Sequence, residues 1–165
     1  MNATIIISVA LAMLSVMGSA TASELQYAHN TETISGRVTT QTVYKVEADK
    51  YLHCHVKNNF SYNAQNQLQQ KEVLKWNSAI SGWEKSYCMN FSYDFSGTTI
   101  TYARWDSKKN AYSEVLEKAV YNQDKETRLL ASYQSFKWNK QSQHWDLVID
   151  HTTIGWNDTL YAIGK

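Results

Sequence analysis

Apolar and polar residues alternate with a period of two along much of the chain. In residues 83–93 the aromatic and apolar residues Trp83, Tyr87, Met89, Phe91 and Tyr93 fall on alternate positions, and the polar residues Glu84, Ser86, Asn90 and Ser92 fall between them. Such alternation of aromatic with polar residues is typical of half-buried strands. No helical period is sustained after the first 22 residues. The absence of proline also suits long strands with complete hydrogen-bond ladders. The pattern therefore predicts an all-β domain.

The same pattern predicts where the strands lie. We expect them near residues 38–46, 51–62, 67–76, 83–93, 98–105, 112–121, 127–138 and 145–154, with a short final strand near 158–163. Short connections favour pairing of consecutive strands. The expected fold is therefore an antiparallel meander of about eight or nine strands, made of repeated hairpin units. The pattern leaves open whether the sheet stays open, folds into a sandwich or closes into a barrel.

Aromatic residues recur in pairs separated by seven positions. The pairs are Trp76 with Trp83, Trp105 with Tyr112, Trp138 with Trp145, and Tyr44 with Tyr51. This spacing places the two partners of each pair opposite each other across a hairpin. Cross-strand aromatic pairs contribute about 0.2–1 kcal/mol each and help to fix the register. The repeat thus predicts a row of aromatic residues along one edge of the sheet.

A second repeat places an aromatic residue before Asn or Asp between these pairs. It occurs as Tyr62-Asn63, Tyr93-Asp94 and Tyr121-Asn122. Asn and Asp side chains hydrogen-bond the backbone two residues further on, which starts a turn. We therefore predict a turn entry at each of these three sites.

The beginning of the chain has the pattern of a secretory signal. Residues 3–17 are apolar, and Ala20 and Ala22 give the small-x-small pattern that a signal peptidase accepts, although Met1-Asn2 bring no basic side chain. We predict a cleaved signal peptide at 1–22 and a single domain at 23–165. The expected location is periplasmic or extracellular, with no transmembrane segment in the mature chain.

Cys54 and Cys88 both remain after this cleavage. In a meander, the strand at 67–76 lies between the strands that carry them. Their backbones would then be about 9–10 Å apart, which is too far for a disulfide. We expect two reduced, partly buried thiols, with a bridge only if the sheet folds over on itself.

Several segments resemble a known family. They are Gly36-Arg37-Val38, Phe60-Ser61-Tyr62-Asn63, Lys75-Trp76-Asn77, the run from Trp83 to Cys88, and Lys137-Trp138-Asn139. Together they resemble a family of small secreted proteins from Bacteroides-type bacteria, known as domain of unknown function 3836. The resemblance implies a bacterial exported protein. It implies no activity.

Charge and motif content exclude several function classes. Lys and Arg total 16 and Asp and Glu total 15, so the chain lacks the basic footprint of a nucleic-acid-binding protein. His53-Cys54-His55 is the best metal-ligand cluster. On a strand, however, its two histidines point to one face and the cysteine to the other, so a zinc site would be incomplete. No Gly-x-Ser-x-Gly elbow and no activated cysteine is evident. We expect no metal, no cofactor and no catalytic residue.

Acidic residues follow three of the aromatic residues, namely Glu84, Asp106 and Asp146. Paired carboxylates beside aromatic rings are used in glycoside hydrolysis. A small secreted glycan hydrolase is therefore the alternative function. Since each acid alternates to the face opposite its aromatic neighbour, we expect these carboxylates to be solvated positions beside hairpin loops.

The aromatic row is the one feature that suggests a function. We identify Trp76, Trp83, Trp105, Tyr112, Trp138 and Trp145 as candidate ligand-binding residues. If exposed, they form a platform for glycan or protein; otherwise they pack within the sheet or under a second layer. The leading hypothesis is a non-enzymatic binding or structural module. Unpaired sheet edges also make a homo-dimer an expectation.

Overall fold

The computed structural model describes residues 26–48, 50–124, 126–127 and 129–152. The predicted signal peptide at 1–22 and the predicted final strand at 158–163 lie outside these residues. Within the described ranges, no helix has the length and apolar character needed to cross a membrane.

These residues form one antiparallel sheet of ten strands. The strands are β1 (Gln26–Ile34), β2 (Arg37–Glu47), β3 (Tyr51–Tyr62), β4 (Leu68–Asn77), β5 (Gly82–Tyr93), β6 (Gly97–Asp106), β7 (Ala111–Tyr112), β8 (Glu117–Gln123), β9 (Leu130–Asn139) and β10 (His144–Thr152). Their order is β1-β2-β3-β4-β5-β6-β8-β9-β10, and β7 pairs with β6. The predicted all-β meander is confirmed. Its described part is a single open layer that ends at β1 and β10, and dimer formation through these edges stays a prediction.

Strand β1 was not predicted from the sequence. Its nine residues are mostly polar, so they give almost no alternation signal. The strand pairs with β2 from Gln26 opposite Val46 to Ile34 opposite Arg37. Backbone hydrogen bonds to the edge of β2, and not an apolar face, therefore hold β1 in the sheet.

The predicted strand at 112–121 is wrong, because it is interrupted. Residues 113–116 separate β7 from β8, although both strands pair with β6. The β2–β3, β4–β5 and β9–β10 hairpins have a smaller irregularity near the start of their second strand. One residue of the second strand is skipped in the register at His55, Ser86 and Val148. The interruption at 113–116 is therefore an enlarged form of a bulge that recurs in each unit.

The bulge at Ser86 changes which residues share a face. Tyr87 lies opposite Val73, whereas Lys85 lies opposite Leu74. Trp83 and Lys85 consequently point to one face, and Tyr87 points to the other. The prediction that Trp83 and Tyr87 share a face is wrong, since a one-residue bulge shifts the alternation.

We call the two surfaces of the sheet the Trp face and the Tyr face. The Trp face carries Trp76, Trp83, Trp105, Tyr112, Trp138 and Trp145. The Tyr face carries Tyr87, Met89, Phe91, Tyr102, Tyr121 and Tyr133. Burial is confined to the middle of the layer, where Val73, Cys88 and Ala103 are the buried apolar residues and Thr42 and Asn58 the buried polar ones. The described part thus has a thin core between two half-covered faces.

The turns beside the Trp face share one construction. Asn77, Asp106 and Asn139 each end a strand and accept a hydrogen bond from the backbone N–H two residues on. The last loop residue is then left-handed: Ser81 has φ 48°, Asn110 φ 48° and Gln143 φ 52°. This shared turn sets the seven-residue spacing of the aromatic pairs.

Gln143→Gly is expected to stabilise the protein by about 0.5–1 kcal/mol, because a left-handed backbone strains residues that have a Cβ. Urea denaturation followed by circular dichroism measures the change. The matched control is Gln141→Gly in the same loop, where φ is negative and glycine only adds unfolded-state entropy. The control should lose stability, and equal effects of the two substitutions would contradict the strain argument.

The turns at the opposite end confirm two of the three predicted entries. Asn63 accepts backbone hydrogen bonds from Gln65 and Gln67, and Asp94 accepts them from Ser96 and Gly97. The third prediction is wrong. Asn122 lies within β8 and donates to the Ser132 hydroxyl, and the turn begins at Asp124 instead. Strand β8 continues because Asn122 has pairing partners on both neighbouring strands.

Both cysteines are free, with Cys54 half-buried and Cys88 buried. Cys54 lies on β3 opposite Tyr44, and Cys88 lies on β5 opposite Glu72 of β4. Strand β4 separates the two thiols, as the meander predicted, so the expectation of two unbridged thiols is confirmed.

Candidate functional site

Three aromatic pairs lie on the Trp face, at the hairpin ends of their strands. The ring centroids are 5.1 Å apart in Trp76–Trp83, 5.0 Å in Trp105–Tyr112 and 5.3 Å in Trp138–Trp145. All three pairs are edge-to-face, with interplanar angles of 65–72°. This geometry is the one that aromatic quadrupoles favour. The predicted cross-strand pairing is confirmed for these six residues.

The fourth predicted pair does not form. Tyr44 lies opposite Cys54, and Tyr51 lies opposite Glu47. The β2–β3 connection has one residue fewer than the loops that follow β4, β6 and β9, so seven residues no longer place the partners on one rung. Tyr51 is 57% exposed and lies near the Lys50 ammonium instead.

The six rings are half-buried, and no second layer of described residues lies over them. Lysine side chains cover part of the ring surfaces. The Lys85 ammonium lies 4.8 Å from the Trp105 ring centroid and 5.7 Å from that of Tyr112. The Lys118 ammonium lies 4.6 Å from the Trp145 ring centroid. Cation–π contacts of this length are attractive, so both lysines are held against the rings.

Glu72 is the polar centre of the Trp face. Its carboxylate accepts hydrogen bonds from the Tyr112 hydroxyl at 2.7 Å and from the Asn59 amide at 3.2 Å, and it pairs with the Lys85 ammonium at 3.1 Å. Tyr112 lies on β7, so its side chain crosses the strands that separate it from β4. Small residues on that rung, Cys88 among them, leave room for this reach.

The contacts of Glu72 change the acidity of both partners. Partial burial opposes ionisation of Glu72, but hydrogen bonds from Tyr112, Lys85 and Asn59 outweigh it, so the pKa ends below its usual value. The pKa of Tyr112 is strongly raised by burial and by its bond to the Glu72 carboxylate. Tyr112 is therefore a fixed neutral donor at physiological pH, and Glu72 a fixed anion.

The three acids considered for hydrolysis lie apart from this cluster. Glu84 faces Lys75 and Asp146 faces Lys137, both on the Tyr face. Asp106 accepts hydrogen bonds from the backbone of the loop that follows it. Asp146 accepts one from Asn139 and pairs with His144. In the register of the described strands no two of these carboxylates lie opposite each other, because the pairing of β5 with β6 ends at Tyr87 and Arg104, before Glu84 and Asp106.

The histidine and cysteine candidates are likewise dispersed. His53 pairs with Glu47 at 2.9 Å, and His55 lies at the bulge with its ring 5.5 Å from that of Tyr27. The described residues contain no group of three potential metal ligands. Burial raises the pKa of the Cys88 thiol, which makes it a weak nucleophile at neutral pH.

Sequence reasoning missed Glu72 and the lysines of the Trp face. A signal for the lysines was present: Lys57, Lys85 and Lys118 each precede the first tryptophan of an aromatic pair by 19 or 20 residues. Glu72 gives no such signal, because its neighbours come from β3, β5 and β7. Only the sheet register brings them together.

Comparison with known proteins places the chain in a family. The family model described as a family of unknown function (DUF3836) matches residues 1–123. A search of curated proteins finds no match.

Solved structures give a consistent picture. A protein of unknown function from Bacteroides fragilis is 23% identical, with a TM-score of 0.69, over 78% of this chain and 93% of that chain. A DUF3836 family protein from Parabacteroides distasonis is 22% identical, with a TM-score of 0.55, over 60% and 92%. These two likenesses show the fold alone.

A DUF3836 family protein from Bacteroides vulgatus is more similar in sequence. It is 35% identical, with a TM-score of 0.50, and covers 52% of this chain and 87% of that chain. All three solved relatives come from Bacteroidales, as the resemblance implied. With the family model matching most of its length, this chain belongs to DUF3836, a family of unknown function.

Proposed function

We propose that the protein is a non-enzymatic binding module, exported to the periplasm or the extracellular space, whose Trp face holds an extended glycan. The observation that carries the proposal is the alignment of three aromatic pairs along one face of the described sheet. Sugar rings present an apolar C–H face that stacks on aromatic rings. A row of such rings suits a chain of sugars.

The first aromatic pair differs from the other two in its cation contacts. Among the described residues, no cation lies over Trp76 or Trp83, whereas Lys85 and Lys118 cover rings of the other two pairs. A cavity of 310 Å³ lies at the start of β5 and the end of β6, and it is lined by Glu84, Lys85, Trp105 and Ser107. It opens where β5 and β6 stop pairing beyond Tyr87 and Arg104. A cavity of this size accommodates one sugar unit.

The placement of the acids supports a binding role over the hydrolase alternative. Glu84 and Asp146 lie on β5 and β10, with three strands between them, and Glu72 already has three partners. Asp106, the third acid, accepts hydrogen bonds from the backbone of its own loop. Export is proposed from the pattern of residues 1–22.

Soluble oligosaccharides are expected to quench the tryptophan fluorescence of the folded protein. The double variant Trp83→Ala and Trp145→Ala should remove the quenching and weaken binding at least tenfold, about 1.4 kcal/mol. Suitable probes are cello-, xylo-, manno- and galacturono-oligosaccharides, titrated by fluorescence and calorimetry.

Phe95→Ala is the matched control, since Phe95 is 82% exposed but lies in a turn at the other end of the sheet. It should bind like the unaltered protein. If no probe binds, and a broad glycan array also stays silent, the glycan proposal fails and a protein partner takes its place. Turnover of a polysaccharide that Glu84→Gln or Asp146→Asn abolishes would establish the hydrolase alternative.

A further inference from the structure

The Trp face carries a lysine before each aromatic pair. Lys57 lies on β3, before the β4–β5 hairpin, and Lys85 lies on β5, before the β6–β7 hairpin. Lys118 lies on β8, before the β9–β10 hairpin. The sheet thus repeats one unit three times, in which a lysine is followed by a hairpin with two facing aromatic rings.

The register places all three lysines on the same face as the rings. Lys57, Leu74 and Lys85 form one rung across β3, β4 and β5. Lys118 lies opposite Phe136, and its ammonium is 4.9 Å from that ring centroid. Contact with Phe136 and Trp145 holds the Lys118 charge at the surface of the third unit.

The three lysines differ in how far their charge is neutralised. Lys85 is paired with Glu72 at 3.1 Å. Among the described residues, no carboxylate lies within 4.0 Å of the ammonium of Lys57 or Lys118. The other acids of this face are Glu32 on β1 and Asp150 on β10, and Asp150 accepts from Gln134. Two cations therefore stand beside the aromatic row without a counter-charge.

We infer that the ligand of the Trp face is an anionic polysaccharide with carboxylate or sulfate groups at regular intervals. This inference rests on the proposed function. Sugar rings lie on the aromatic pairs, and their acidic groups contact Lys118 and Lys57. The first two hairpins start two strands apart, about 9.5 Å, which is close to the length of two linked sugars. A polymer with a charged group in each disaccharide matches that repeat.

The test compares polymers that differ only in charge. Polygalacturonate is paired with highly methyl-esterified polygalacturonate, and dextran sulfate with dextran, in affinity electrophoresis and calorimetry. The protein should bind at least one acidic polymer about tenfold more tightly than its neutral partner. This preference should fall as salt is raised, because exposed charge contacts are screened. The pair that responds distinguishes carboxylate from sulfate.

The variant Lys118→Gln should lose about tenfold in affinity for the acidic polymer. Lys137→Gln is the matched control, since Lys137 lies on the adjoining strand but faces Glu117 and Asp146 on the Tyr face. Equal binding of acidic and neutral polymers overturns the inference and leaves the proposed function standing. An unchanged affinity in Lys118→Gln also overturns it. If none of the four polymers nor any neutral oligosaccharide binds, both proposals fail together.

Discussion

Gly97→Ala is expected to destabilise the protein by about 3–5 kcal/mol, among the largest effects of a single substitution. Gly97 begins β6 opposite Asn122 of β8, and its φ of 156° is a conformation that residues with a Cβ rarely adopt. A Cβ built there falls far inside contact distance of the Tyr121 carbonyl oxygen and lies 3.0 Å from the carbonyl carbon. Since the obstructing atoms are backbone, relief requires β6 and β8 to separate.

The matched substitution is Gly82→Ala at the start of β5. A Cβ there meets its nearest atom, Cδ1 of Ile80, at 3.5 Å, which is ordinary contact. Its effect should lie within about 0.5 kcal/mol of zero. Urea denaturation gives both values. A Gly97→Ala protein as stable as Gly82→Ala would show that β8 does not pack against β6 as described.

Glu72→Gln is expected to cost about 2 kcal/mol at pH 7, because hydrogen bonds to a charged group are worth more than those to a neutral one. The glutamine can still accept a bond from Tyr112, but the Lys85 ammonium loses its counter-charge. The Glu72 side chain is only 20% exposed, so water replaces the lost contacts poorly. The comparison of unfolding free energies gives the value directly.

The cost should also depend on pH, with a defined sign. The pKa of Glu72 is lower in the folded protein than its usual value of 4.5, so the stabilisation from its charged form is present above that pH. It is lost as the pH falls through the folded-state pKa. The difference between the two proteins should therefore narrow as the pH falls from about 5 towards 3.

Other carboxylates share this acid dependence. Hydrogen bonds lower the pKa values of Asp94 and Asp124 in their turns, so they act in the same direction. The difference between Glu72→Gln and the unaltered protein removes their common contribution. Glu84→Gln, which changes an exposed acid on the Tyr face, is the control and should change the free energy of unfolding by less than about 0.5 kcal/mol at pH 7. A constant Glu72→Gln effect down to pH 3 would contradict the assignment of its pKa.

The repeating part of this fold could be predicted from the sequence, because each hairpin carries its own signals. The period-two alternation, the aromatic pairs and the Asn or Asp turn entries are all local. Strand β1 could not be found this way, since its polar residues are ordered by β2 and not by burial. The bulge at Ser86 could not be predicted either. Trp83 and Tyr87 still fall on alternate positions of the sequence, although the unpaired Ser86 places them on opposite faces.

The candidate site was only half predictable for the same reason. The six aromatic residues are linked by a fixed spacing within each hairpin, so their pairing follows from the sequence. The contact of Glu72 with Tyr112 joins residues 40 positions apart through the register of several strands. The small side chains of Cys88 and Ala103 lie on the rung between Glu72 and Tyr112. Nothing in the sequence near either residue predicts that contact.

Every strand of the described sheet pairs only with strands close to it in the chain, β7 and β8 sharing β6. Such an arrangement behaves as a linear array in which each unit is stabilised by its nearest neighbours. Opening can then start at β1 or β10 and proceed inward one strand at a time. The middle strands around Val73 and Cys88 would be the last to exchange their amide protons with solvent.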